Sequence, residues 1–137
     1  METTNPAPFS GGCLCGQVRY AFDAEPRVHF CHCGMCRRAT GSAFAVFAWV
    51  DAASVRWEGT EWRHTYRSSS IARREFCSCC GTALTLRYDG SDEIALHVGT
   101  LDDPARVRPE YHYGAEYSLA WADCGAQLPR LCVEEQL

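Results

Sequence analysis

The chain has 137 residues, a formal net charge of −4, 47% hydrophobic residues and 22% charged ones. This length suits a single domain that buries roughly two-thirds of the surface its unfolded chain exposes. The acidic balance argues against nucleic acid as a partner, because such domains carry a basic face. All 13 basic residues are Arg, which excludes lysine Schiff-base chemistry.

Residues 1–8 read as a disordered leader and residues 9–137 as one domain. The leader has no basic n-region and no apolar h-region, so no signal peptide is visible. The longest apolar run, Ala43 to Val50, is too short to span a bilayer. A cytoplasmic protein with no membrane partner is the expectation. Along the chain, Gln17 to Phe22 alternates, placing Val18, Tyr20 and Phe22 on one face of a strand. Phe44 to Val50 is continuously apolar and predicts a strand buried on both faces. Val55 to Trp57, Trp62 to Arg67, Ala72 to Phe76, Ala83 to Tyr88 and Glu93 to Val98 predict further strands. Turn residues separate them, notably Glu58-Gly59, Ser68-Ser69-Ser70 and Asp89-Gly90-Ser91-Asp92. Helix is confined to a turn or two at Gly34 to Thr40 and another after Asp102-Asp103-Pro104. The expected architecture is mainly β, a small domain of short antiparallel strands with metal-bearing loops.

The metal in that expectation comes from the cysteines. Of 10 in the chain, most fall in three clusters: Cys13-Leu14-Cys15, Cys31-His32-Cys33-Gly34-Met35-Cys36 and Cys77-Ser78-Cys79-Cys80. Clustered thiols in a reducing compartment read as metal ligands rather than disulfides. Tetrahedral zinc with bonds of about 2.3 Å needs sulfurs roughly 3.8 Å apart. A C-x-C pair meets this from one face of an extended segment, and a C-x-x-C pair meets it through a tight turn. Cys13 and Cys15 with Cys77 and Cys80 therefore make a complete four-sulfur site of structural type, with Cys79 pointing elsewhere or competing with Cys80. Cys31, Cys33 and Cys36 supply three sulfurs and no fourth cysteine nearby in sequence. Three protein ligands with an open position is the pattern of catalytic zinc. A histidine among His29, His97 and His112 would instead close the site, whereas His32 points away from its cysteine neighbours.

With these motifs in place, the chain resembles the glutathione-dependent formaldehyde-activating enzyme (GFA)/CENP-V family. The resemblance rests on Gly11 to Tyr20, Cys31 to Arg38, Gly41 to Phe44, Phe76 to Thr82 and Gly99 to Pro104, with Pro109, His112, Trp121 and Leu128-Pro129 near the end. It implies a β-tent fold with two Zn²⁺ sites, structural at Cys13, Cys15, Cys77 and Cys80, and catalytic at Cys31, Cys33 and Cys36. It also implies a carbon–sulfur lyase-type activity that joins a thiol, glutathione in the named enzyme, to formaldehyde to give S-hydroxymethylglutathione. The partners would then be a small-molecule thiol and an aldehyde, or their adduct. A reading from a different class is a non-catalytic, zinc-stabilised binding module on the same fold.

Among the remaining residues, Arg37 and Arg38 either hold a substrate carboxylate or neutralise the anionic thiolates. His112, between Tyr111 and Tyr113, either lines the cleft or caps a strand. Cys79, Cys124 and Cys132 read as small buried hydrophobes. Trp49, Trp57, Trp62, Trp121, Phe44 and Phe47 read as core and rim, and Arg73-Arg74-Glu75 as a solvated strand face.

Overall fold

A computed structural model describes residues 6–122 and 128–130. Most of the expected leader, together with Cys124 and Cys132, lies outside these residues. The described chain is mainly β and forms two sheets. The smaller is antiparallel, β1 (Phe9–Gly12), β2 (Arg19–Phe22) and β5 (Arg56–Glu58), in that order. The larger has seven strands. In spatial order they are β10 (Tyr111–Tyr113), β3 (Arg27–Cys31), β4 (Ala45–Asp51), β9 (Glu93–His97), β8 (Ala83–Tyr88), β7 (Ala72–Cys77) and β6 (Arg63–Arg67). All its pairings are antiparallel except β10 on β3, which is parallel, a departure from the expected all-antiparallel arrangement. The one α-helix among the described residues, α1, spans Gly34–Thr40 as expected.

The alternation in β2 does what its sequence demands: Tyr20 and Phe22 turn inward and are buried, with Val18 just ahead of the strand. They pack with Phe9, Val28, Ala48, Val50, Ile94 and Leu96 between the sheets. β4 is central to the larger sheet and is buried on both faces, again as expected. Its even-numbered residues Ala48 and Val50 enter that core, while Ala45, Phe47 and Trp49 turn to the opposite face. That second face positions the site. Neighbouring strands add Ala95, Leu86 and Ala72 to it, and Cys31 and Cys36 close it at one end.

Candidate functional site

Two groups of cysteines converge, each with ligand atoms within 4.8 Å of one another. The first joins the β1–β2 hairpin to the β7–β8 hairpin, across more than sixty residues of sequence. Cys13 and Cys15 sit in a turn completed by Gly16, whose φ of 81° only glycine adopts freely. Its amide donates to the Cys13 carbonyl at 3.1 Å. Cys77 ends β7, and Gly81, at φ 79°, closes the turn after Cys80 with its amide 2.7 Å from the Cys77 carbonyl. Sulfur separations of 3.5 Å (Cys13–Cys15) and 3.8 Å (Cys15–Cys77) fit the edges of a tetrahedron around one ion. The Val18 amide donates to Cys13 Sγ at 3.2 Å. Burial works to raise the Cys80 thiol, yet hydrogen bonds from the Thr82 hydroxyl and from backbone amides hold it down at about 5. Cys79 is exposed and lies outside the group, so it neither competes with Cys80 in this arrangement nor behaves as a buried hydrophobe.

The second group contains Cys31, Cys33 and Cys36. The sequence places these on one loop, but the structure divides them among a strand end, a helix cap and a helix. Cys31 is the last residue of β3. Cys33 is the N-cap of α1, its sulfur accepting the Cys36 amide at 3.3 Å. Cys36 is buried in the first turn, and Gly41 ends the helix in the left-handed region. Cys31 Sγ lies 3.2 Å from Cys36 Sγ and 3.6 Å from Cys33 Sγ, well beyond the roughly 2.05 Å of a disulfide bond. The Cys36 thiol is pushed down to about 5, first by the hydrogen bond from Cys31 and then by the guanidinium of Arg74. Cys31, as the donor of that pair, is pushed up.

Among the described residues, no histidine or carboxylate joins this second group. His29 accepts from Trp49 Nε1 at 2.8 Å and meets the Phe30 carbonyl through Nδ1 at 3.0 Å, so both ring nitrogens are committed. His32 turns away, as expected, and its Nε2 lies 2.8 Å from Nδ1 of His112 on the other side of β3. His112 therefore faces away from the cysteines, against Phe30. His97 points to a neighbouring cavity, and burial, followed by the charge of Arg74, lowers its pKa to about 4.

The three sulfurs open onto a cavity of about 670 Å³. Phe47, Trp49, Tyr88, Tyr111 and Tyr113 supply much of its wall. Tyr111 stacks on His29 with ring centroids 4.8 Å apart, and Tyr88 on Trp49 at 6.0 Å. Burial, followed by Tyr113 and the cysteines, raises the Tyr88 phenol. Two arginines reach the cavity, Arg27 and Arg74. Neither Arg37 nor Arg38 lines it: both line a surface pocket with Leu119 and Trp121, and Arg38 also lines the adjoining cavity beside Arg74. The reading of Arg73-Arg74-Glu75 as a solvated face is corrected too. Each of the three is part-buried, Glu75 accepts from Arg63 at 2.8 Å and from Thr85 at 2.9 Å, and Arg74 reaches Cys36 Sγ at 3.5 Å. Sequence reasoning missed Arg27, Arg74, Tyr111 and Tyr113. Period-two alternation about His112 was the one signal that pointed to the tyrosines.

A family model described as glutathione-dependent formaldehyde-activating enzyme matches residues 8–116. The chain belongs to this family. This GFA-family chain is also 38% identical over 81 residues to an uncharacterized lyase of Schizosaccharomyces pombe, the match spanning 58% of each chain. A solved Rhodobacter sphaeroides protein covers 76% of the GFA chain and 98% of its own length at 24% identity, with a TM-score of 0.57, a likeness of fold. Two cysteine groups able to hold metal ions, one of four and one of three, accompany the GFA match. No helix among the described residues is long and apolar enough to cross a membrane.

Proposed function

We propose that this GFA-family protein is a zinc-dependent carbon–sulfur lyase-type enzyme that adds a thiol to an aldehyde, or cleaves the adduct. The observation that carries this reading is the convergence of Cys31, Cys33 and Cys36 at a cavity, with no described protein group to complete a tetrahedron. Cys13, Cys15, Cys77 and Cys80 would hold a second zinc as a bolt between hairpins. The soft, tetrahedral donor sets and their sulfur spacings suit zinc in both places. When bound by three cysteines, zinc supplies an exchangeable position at which a thiol is held as thiolate or a carbonyl oxygen is polarised.

The rest follows from the chain. In the forward direction the substrate sulfur donates its electron pair to the carbonyl carbon. The C–S bond forms, the carbonyl π pair moves to oxygen, and that oxygen takes up a proton equivalent to the one the thiol gave to solvent on becoming a thiolate. Cleavage reverses each step. Three thiolates quench much of the metal's positive charge, which favours capture of the thiol over strong activation of the carbonyl. Cys33 and Cys36 are fixed by the helix cap, so two ligand positions are preset by backbone geometry. The aromatic wall provides apolar surface. The cavity is of a size that takes ligands of several functional groups, so formaldehyde alone would occupy a small part of it. The thiol partner, glutathione or another, supplies the remaining bulk, and Arg27 at the wall, paired with Glu93 at 3.4 Å, can turn a second edge of its guanidinium to a carboxylate on it.

The test is metal content per chain on the native protein and on Cys33→Ala, followed by an aldehyde–thiol screen on both. Two zincs in the native protein, one in a folded Cys33→Ala, and adduct formation only in the former are expected. Two tightly held zincs and no turnover with any thiol–aldehyde pair would replace the enzyme with a zinc-stabilised binding module.

A further inference from the structure

We propose that Arg74 is the counter-charge of the three-cysteine centre and tunes what its open position will bind. The inference rests on the reading of Cys31, Cys33 and Cys36 as a metal site.

The observations begin with the position of Arg74 on β7. Its side chain is turned to the face shared with Cys36, and Nη2 lies 3.5 Å from Cys36 Sγ. Nε and Nη1 are buried and have no hydrogen-bond partner. A buried guanidinium without a compensating anion is costly, and no carboxylate among the described residues pairs with it. The adjacent acid, Glu75, is committed to Arg63 and Thr85. Asp89, the acid near Arg73, is occupied by Arg67 and Arg73. Among the described residues, the anion within reach of Arg74 is therefore a cysteine thiolate. The charges fit one another: a divalent ion with three thiolates carries one net negative charge, and one guanidinium cancels it. Of the arginines nearest in sequence, Arg37 lies at another pocket and Arg38 lines the adjoining cavity, but the contact to a cysteine sulfur is made by Arg74.

The consequence concerns the fourth position. A hydrogen bond and a positive charge on a ligand sulfur draw electron density from it, leaving the metal more electrophilic. The same charge favours the approach of a further anion, the substrate thiolate. Arg74 also lines both the cavity over the cysteines and the adjoining one, of about 480 Å³. It thus acts at the wall between them as a positioning residue and takes no part in bond making.

The experiment uses the full-length chain loaded with Co²⁺, whose sulfur-to-metal charge-transfer bands report the electron density on the thiolates. Arg74→Gln removes the charge and keeps a donor, whereas Arg74→Lys keeps the charge and loses the fork. Both fill the same strand position. The native protein and both variants should take up two metal equivalents. In Arg74→Gln the charge-transfer bands should move to lower energy, and affinity for a simple thiol probe, 2-mercaptoethanol, should fall ~10–100-fold, the range usual for outer partners of metal ligands. Arg74→Lys should restore much of the thiol affinity. Native protein with two equivalents and an Arg74→Gln variant of unchanged spectrum and thiol affinity would overturn the role of Arg74 alone. Native protein that takes up a single equivalent would overturn the underlying metal reading, and this proposal with it.

Discussion

Replacing His97 with Gln should remove an acid-sensitive component of stability. His97 is 8% exposed, and its pKa falls from the ordinary 6.5 to about 4, mainly through burial and secondarily through Arg74. Above pH 6.5 the imidazole is neutral in both folded and unfolded chains and contributes nothing to pH dependence. As the pH falls through 6.5, the unfolded chain takes up a proton that the folded chain refuses, so the native state loses stability. The loss grows until pH reaches about 4, where the folded chain is protonated as well. At about 1.4 kcal/mol per tenfold change in proton affinity, the full loss is about 3 kcal/mol. The assay is denaturant unfolding of zinc-loaded protein at several pH values between 7.5 and 4. Acid also protonates thiolate ligands, but equally in both proteins, so the quantity to read is native minus variant. That difference should fall by about 2–3 kcal/mol between pH 7 and pH 4.5. Parallel curves over this interval would refute the reasoning, because they would mean that His97 protonates as easily in the folded chain as in the unfolded one.

Three further outcomes follow from named contacts. Gly59 has a φ of 73°, and a Cβ there would stand 1.7 Å from the Gln17 carbonyl oxygen; Gly59→Ala should cost more than about 2 kcal/mol by chemical denaturation, through strain and a backbone shift. Cys79→Ala should leave metal content unchanged and stability within about 0.5 kcal/mol, whereas Cys80→Ala should lose one metal equivalent and melt well below the native protein, both read by elemental analysis and thermal melts. Trp49→Phe deletes the donor to His29 Nε2; it should cost about 1–2 kcal/mol in unfolding free energy and leave two metals bound.

Much of this was legible in the sequence, for reasons that can be traced to particular residues. Apolar continuity identified β4, and the short stretch from Gly34 to Thr40 was the expected site of α1. Alternation identified the buried face of β2. The ligand groups could be divided because C-x-C and C-x-x-C spacings carry their geometry locally. Other elements have no local signature. β1 contains two glycines in four residues, which carry no strand preference. β3 ends in Cys31 and looks like part of the cysteine loop, and β10 is three residues long and exists through its parallel pairing with β3. Arg74 was misread for a related reason. Neighbouring charges in a strand suggest a solvated face, but successive side chains point in opposite directions. Whether the buried direction meets an anion depends on Cys36, thirty-eight residues away. Long-range partnership also placed Tyr111 and Tyr113 at the cavity and His112 behind it.

Cys31, Cys33 and Cys36 should hold a metal with one exchangeable position. Zinc X-ray absorption on the fully loaded protein, with and without an added thiol, tests it most directly. One closed four-sulfur site and one open three-sulfur site should average about 3.5 sulfurs per zinc, rising to about 4 when the thiol enters. An average that the thiol does not change, with either four sulfurs or a histidine already in place, would mean that both sites are closed.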